Sequence, residues 1–263
     1  MLEASHGAID VWCVYYDAIR DEGLLAQYWD MLSAPERVRQ QQFYFPADRH
    51  RYLVTRAAVR TILSRYAALA PAQWEFANNA YGRPAIANPG MAPGLVFNLS
   101  HTSDLIVVGV TRGLELGVDT EPMTARAAPL EQAGYFFSAS ESAALRALPL
   151  AMQPTRFFQY WTLKESYIKA RGKGLSIPLT DFGFELGPGT DGILGVDPRL
   201  KDDPARWHCW QYRADGDYLV SICASALHAT PPAIRFWKSV PLAGDCAAAF
   251  ALLARTRHPQ APA

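Results

Sequence analysis

WTLKESYIKARGKGL, residues 161–175, is the stretch around which the chain reads. On a helix, Trp161, Glu165 and Lys169 fall on one stripe because each lies four residues from the next, so an acid and an ammonium stand side by side. The helix must end at Gly172-Lys173-Gly174, since glycine accepts positive φ without a Cβ clash. Two glycines flanking a lysine leave backbone N–H groups and a mobile cation at that end, a combination suited to a polyanion with bound metal.

Upstream lies LVFNLSHTSDLIVVGVTRGLELGVDTE, residues 95–121. Apolar runs at 95–99 and 105–110 are joined by Ser100-His101-Thr102-Ser103, and a turn at Gly113 leads to a third run at 114–118. The pattern predicts three neighbouring strands in a meander. The last one delivers Asp119 and Glu121, and period-two alternation puts both carboxylates on the same face, where they grip one hard cation. YFFSASESAALRAL, residues 135–148, reads as a helix capped by Ser138, with Glu141 as the acid of its capping box.

Nearer the N-terminus, residues 9–16 form a β-branched and aromatic run suited to a buried strand, followed by a polar segment whose apolar contacts are Trp29 and Leu32. Ser33-Ala34-Pro35-Glu36 reads as a helix start, and Arg37 and Arg39 follow it. A second helix spans residues 48–66; Arg49, Arg56 and Arg60 recur on it as a solvated face, with Arg51 off that stripe. A short strand at 74–76 precedes a turn through Gly82 and Pro84. Beyond the organising helix, which begins near residue 155, the stretches 181–186, 207–213 and 218–225 read as strands. A further strand at 234–240, a short Ala-rich helix and a frayed HPQAPA end complete the chain.

One order occurs twice: helix, short strand, turn and β pair run through residues 48–110 and again through 155–225. The expected fold is α+β, built from two similar α/β halves. Residues 1–113 form the N-terminal half and 114–228 the C-terminal half carrying most of the metal site, while 229–263 pack back as an extension. A ligand belongs in the cleft between the halves.

Half of the 263 residues are hydrophobic, so the chain has the material for a sizeable core. Its formal net charge is zero, which gives no global pull toward nucleic acid or an anionic membrane; an anion site must be a local cluster. Cys13, Cys209, Cys223 and Cys246 lack zinc-type spacing and read as incidental thiols. The first residues lack a signal-peptide pattern, and no run reaches about 18 apolar residues, so the expected location is cytoplasmic. Asp119, Glu121 and Glu165 are three acids suited to Mg²⁺, with Lys164, Lys169 and Lys173 as nearby cations. Arg37, Arg51, Arg83 and His101 form a second candidate anion site. Ser100 beside His101 makes no hydrolase dyad by proximity alone, and no GxSxG elbow is present.

RHRYLVTRAAVR, YGRP, FNLSHT, LGVDTE, FFSASE and WTLKESYIKARGKGL together resemble the 4′-phosphopantetheinyl transferases of the surfactin-synthetase type, over about residues 35–180. That family modifies carrier proteins of polyketide, nonribosomal peptide and fatty-acid synthesis. The resemblance implies a pseudo-twofold pair of halves in one monomeric chain, with coenzyme A as co-substrate in the cleft. It implies Asp119, Glu121 and Glu165 as Mg²⁺ ligands, and Lys169, together with Lys164, as a contact to coenzyme A. Arg37, Arg51, Arg83 and His101, with Ser100 beside them, match positions that bind the 3′-phosphate and adenosine. Glu165, Lys169 and Asp119 would be catalytic, with Glu165 or a metal-held water taking the serine proton. Arg83 stands where other members often have Lys, Gln40 where some are basic, and Pro122-Met123-Thr124 lacks lysines found elsewhere. An acyl or peptidyl carrier protein, being acidic, calls for a basic and apolar rim, which exposed arginines or the loop at 126–134 would supply. The rival readings are a non-catalytic module that binds coenzyme A or a carrier protein, and a metal-dependent phosphohydrolase.

Overall fold

Strand runs that are apolar on both faces must be covered on both faces, and here a helix covers one and a second sheet the other. The computed structural model describes residues 7–123, 128–187, 189–225 and 231–257. Its first pass runs through β1 (Ala8–Tyr15), α1 (Glu22–Asp30), α2 (Ala34–Gln42) and α3 (Pro46–Leu63), then the hairpin β2 (Phe76–Asn78) and β3 (Pro84–Ile86), then β4 (Leu95–His101) and β5 (Leu105–Arg112). The second pass runs through β6 (Leu116–Pro122), α4 (Ala133–Phe136), α5 (Ala139–Ala147) and α6 (Gln153–Arg171), the hairpin β7 (Phe182–Leu186) and β8 (Asp191–Val196), then β9 (Trp207–Ala214) and β10 (Tyr218–Ser225). The chain closes with β11 (Ala233–Val240), β12 (Gly244–Ala248) and β13 (Ala251–Thr256). The architecture is mixed α+β.

β1 lies antiparallel to β5, which pairs with β4; likewise β6 lies antiparallel to β10, which pairs with β9. The sheet orders are β12-β11-β1-β5-β4 and β6-β10-β9-β13-β8-β7. Period-two alternation divides the cores: Trp12, Val14, Ile106 and Val108 face α3, whereas Val11, Cys13, Leu105 and Val107 meet Leu116, Val118, Val220 and Ile222 of the other sheet. α6 packs on the far side of that sheet with Phe157, Leu163 and Tyr167. No helix among the described residues is long and apolar enough to cross a membrane.

Three expectations are corrected. The predicted meander breaks at Gly113, because β6 does not pair with β5 but starts the second sheet beside β10. Its apolar face stacks over β5 instead, where Gly109 makes room: a Cβ there would stand 2.7 Å from Val118 Cγ1. The Ala-rich stretch after β11 forms β12 and β13 rather than a helix. β12 pairs along the edge of the first sheet on β11, while β13 inserts between β9 and β8 of the second, and these ladder hydrogen bonds outweigh a weak local helix preference. Arg56 and Arg60 are not a solvated face. Glu36, which accepts the Ser33 N–H as the box acid, also receives Arg56 Nε and Arg60 Nη2 at 2.6 Å each. The expected frayed end, residues 258–263, lies outside the described residues, as do residues 126 and 127 of the candidate rim.

The contact that positions everything downstream is α6 on β6. Gly117 touches the helix backbone so closely that a Cβ would fall 2.0 Å from Ser166 O and 2.3 Å from Ala170 N. Neither backbone atom has room to retreat. Gly117→Ala should therefore cost at least the upper part of the overpacking range, about 1–3 kcal/mol, in urea unfolding. Gly134→Ala, with open space around the new Cβ, should change stability by no more than about 0.5 kcal/mol.

Candidate active site

Asp119 leaves β6 beside the helix that Gly117 seats, and it is 5% exposed. Its Oδ1 accepts the Ser100 hydroxyl at 2.7 Å and the Lys169 ammonium at 2.7 Å; Lys169 Nζ also donates to Ser100 Oγ at 2.9 Å. Ser100 belongs to β4 of the first sheet, so three side chains join both sheets and α6. Asp119 Oδ2 is buried and has no hydrogen-bond partner among the described residues. Glu121, two residues on, accepts Thr102 Oγ1 at 3.2 Å.

Glu165 sits one turn before Lys169 on α6. Burial pushes its pKa up from 4.5 to about 7, helped by the charges of Asp119 and Glu121, while Lys169 opposes the rise. Carboxylates whose charge raises Glu165 must lie close to it in space. Among the described residues no three His, Cys, Asp or Glu side chains have ion-binding geometry; the group directly on Asp119 is the Lys169 ammonium.

Two adjoining cavities open here. One of about 240 Å³ is lined by Glu165, Lys169, Gly172 and Gly174 from one side and by Tyr81, Arg83 and Leu99 from the other. The second, about 330 Å³, holds Arg51, Arg56, Tyr52 and His101, and the two share Gly82, Pro84 and Leu99 as a common wall. The His101 pKa is pushed below its ordinary value by desolvation and by the Arg51 guanidinium, which favours a neutral imidazole at pH 7. Arg51 is itself paired with Asp48 at 2.7 Å.

Asp119, Glu121, Glu165, Lys169 and Ser100 are thus brought together, and Arg51 and His101 line the neighbouring cavity. Two expected members lie elsewhere. Lys164 is fully buried on the other side of α6, on Glu141 Oε2 at 2.7 Å and on Phe182 O, because the next residue along a helix points about 100° away from Glu165. Glu141 is accordingly structural, with Oε1 accepting Phe184 N. Arg37 is also absent; it donates to Trp29 O and Asp30 O at the end of α1. Arg83 reaches the cavity wall, but its fork donates to Ala170 O and Leu116 O. One contributor had no signal of its own: buried Asn98, whose Oδ1 accepts Val118 N at 2.9 Å and ties β4 to β6.

The raised Glu165 carboxyl makes folding pH-dependent in EDTA. Below pH 4.5 it is protonated in both folded and unfolded chains, so the stabilisation it offers relative to high pH is complete there and is lost as pH rises through about 7. At about 1.4 kcal/mol per pH unit the loss is on the order of 3 kcal/mol. Urea unfolding of the wild type should weaken from pH 5 to pH 8, and Glu165→Gln should remove that part of the slope. An unchanged slope in the variant would remove Glu165 from the cluster.

The sequence matches the model of the 4′-phosphopantetheinyl transferase superfamily over residues 115–223, and that of the 4′-phosphopantetheinyl transferase N-terminal region over residues 21–112. It is 33% identical to the 4′-phosphopantetheinyl transferase HetI of Nostoc sp. over 87% of this chain and 91% of that protein. It is 29% identical to the 4′-phosphopantetheinyl transferase Sfp of Bacillus subtilis, over 82% and 92%. A solved holo-[acyl-carrier-protein] synthase of Thermotoga maritima overlays at a TM-score of 0.35 with 19% identity, covering 43% of this chain and 64% of that one, a likeness too loose to add weight. Two family models meeting at residues 112 and 115, and a relative matched along nearly its whole length, lead to one conclusion: this chain belongs to the 4′-phosphopantetheinyl transferase superfamily.

Proposed function

We propose that the protein moves the phosphopantetheine arm of coenzyme A onto a serine of an apo acyl or peptidyl carrier protein and releases 3′,5′-ADP. The observation that carries this reading is the shared Asp119, held by Ser100 and Lys169 on one oxygen and unpartnered on the other, next to a Glu165 of raised pKa at the mouth of a cavity. The described residues of the two halves, 1–113 and 114–228, act as the two walls of the cleft, and of the extension at 229–263 the strands β11 and β12 join the first sheet and β13 the second. One chain carries both walls, so a monomer suffices.

The donor chemistry suits a divalent cation, although the three acids are not gathered in ion-binding geometry while Lys169 sits on Asp119. Asp119 Oδ2 is a buried oxygen in want of a partner, and mutual repulsion of the three acids is what a cation between them relieves. Mg²⁺ held by Asp119, Glu121 and Glu165, hard oxygen donors that suit it, would neutralise charge on the pyrophosphate. Lys169 offers a second positive centre where charge builds on the phosphoryl oxygens. Arg51 and neutral His101 suit the adenosine and 3′-phosphate end of the co-substrate. In the reaction the serine oxygen bonds to the β-phosphorus, the bond from phosphorus to 3′,5′-ADP breaks, and the hydroxyl proton passes to Glu165 or to a water held beside it.

Mass spectrometry of an apo carrier protein incubated with coenzyme A, Mg²⁺ and this protein should show a phosphopantetheine increment. Asp119→Ala and Glu165→Gln should each lower turnover by about a hundredfold or more while circular dichroism stays native. Wild-type rates in either variant would refute the assigned roles. Phosphate release without a carrier would instead mark a phosphohydrolase, and binding of coenzyme A with no increment a binding module.

A further inference from the structure

The turn between β2 and β3 reaches from the first half and takes hold of the C-terminal end of α6. Asn79 Nδ2 donates to Gly172 O at 2.9 Å, while its Oδ1 accepts the N–H groups of Tyr81 and Arg83, so the turn itself locks this side chain. Arg83 donates through Nη1 to Ala170 O at 3.0 Å and through Nη2 to Leu116 O at 2.9 Å. These helix carbonyls belong to the set that a helix end leaves without an internal partner. The planar fork therefore spans two elements at once, the last turn of α6 and the first residue of β6. Gly172 lies under it at φ 64°, where a Cβ would come 3.1 Å from Arg83 Nη1. Ala170 follows Lys169 directly, and Leu116 stands three residues before Asp119, so the fork bridges the two segments that the Lys169–Asp119 pair joins deeper in the cleft.

We propose that Asn79 and Arg83 are positioning residues: they clasp the end of α6 to β6 and so set Lys169 against Asp119, and Arg83 does not serve chiefly as a phosphate contact. The kinetic part rests on the transferase reading above. An ammonium at position 83 would reach a phosphate or one carbonyl, but it cannot reproduce a fork shared between two carbonyls.

Hydrogen exchange and kinetics on full-length wild type, Arg83→Lys and Asn79→Ala test the clasp. Both variants should exchange the amides of residues 168–174 faster while the strands of the two sheets exchange as in wild type, because only one local unit is freed. Their kcat should fall by on the order of tenfold or more, the scale set by small misplacement of reacting groups, with KM for coenzyme A nearly unchanged. The fall should be the same with 3′-dephospho-coenzyme A. Unchanged exchange at 168–174 would overturn the proposal, as would a defect in Arg83→Lys that appears in KM and vanishes when the co-substrate lacks its 3′-phosphate. Should wild type transfer nothing, the transferase reading fails, and the exchange result alone decides for or against the clasp.

Discussion

The Lys169 ammonium on Asp119 Oδ1, 2.7 Å apart and shared with Ser100, is the interaction around which the candidate site is arranged. The Asp119 side chain is 8% exposed, so its charge has little help from water and must be met by the protein. Charge-assisted hydrogen bonds of this kind are short and directional. They hold only if helix and strand are placed to within fractions of an ångström. Gly117 provides that placement by letting the backbone of α6 rest on β6, and Asn98 ties β4 to the same strand. The site is then a consequence of how two sheets and one helix meet, with no long loop required to build it.

The electrostatics of the cluster are unbalanced by design of the packing. Burial and two carboxylates raise Glu165, one ammonium opposes them, and one buried oxygen of Asp119 has no hydrogen-bond partner among the described residues. Such a site stores unfavourable interaction that a cation or a phosphate-bearing ligand relieves, which is why strongly perturbed groups in a cleft point to chemistry. The buried Lys164–Glu141 pair, one helix face away, shows the contrast: there Glu141 meets Ser138 N, Phe184 N and Lys164, and Lys164 also reaches Phe182 O. Satisfied ionic groups of that kind hold α5, α6 and β7 together and leave nothing over for a ligand.

Much of this was legible because local rules carried it. The four-residue spacing of Glu165 and Lys169, the alternation of Asp119 and Glu121, the box acids Glu36 and Glu141, and the left-handed Gly172 at the end of α6 all follow from short-range geometry. What escaped depends on partners distant in sequence. A run such as Leu114 to Val118 satisfies the core of either sheet, so alternation alone does not say that β6 changes sheets. Arg56 and Arg60 sit at helical spacing like any solvated stripe, and only the arrival of Glu36 from α2 buries them. Lys164 adjoins Glu165 in sequence but points into another core. Arg83 keeps its charge in the turn, yet its carbonyl partners lie 33 and 87 residues away.

The most direct measurement is a crystal structure with coenzyme A and Mn²⁺, using anomalous scattering at the manganese edge to locate the ion without ambiguity. The account predicts one strong site bounded by carboxylate oxygens of Asp119, Glu121 and Glu165, with Lys169 turned toward the pyrophosphate. An ion bound away from those three acids, or coenzyme A seated outside the cavities beside Lys169 and His101, would contradict it.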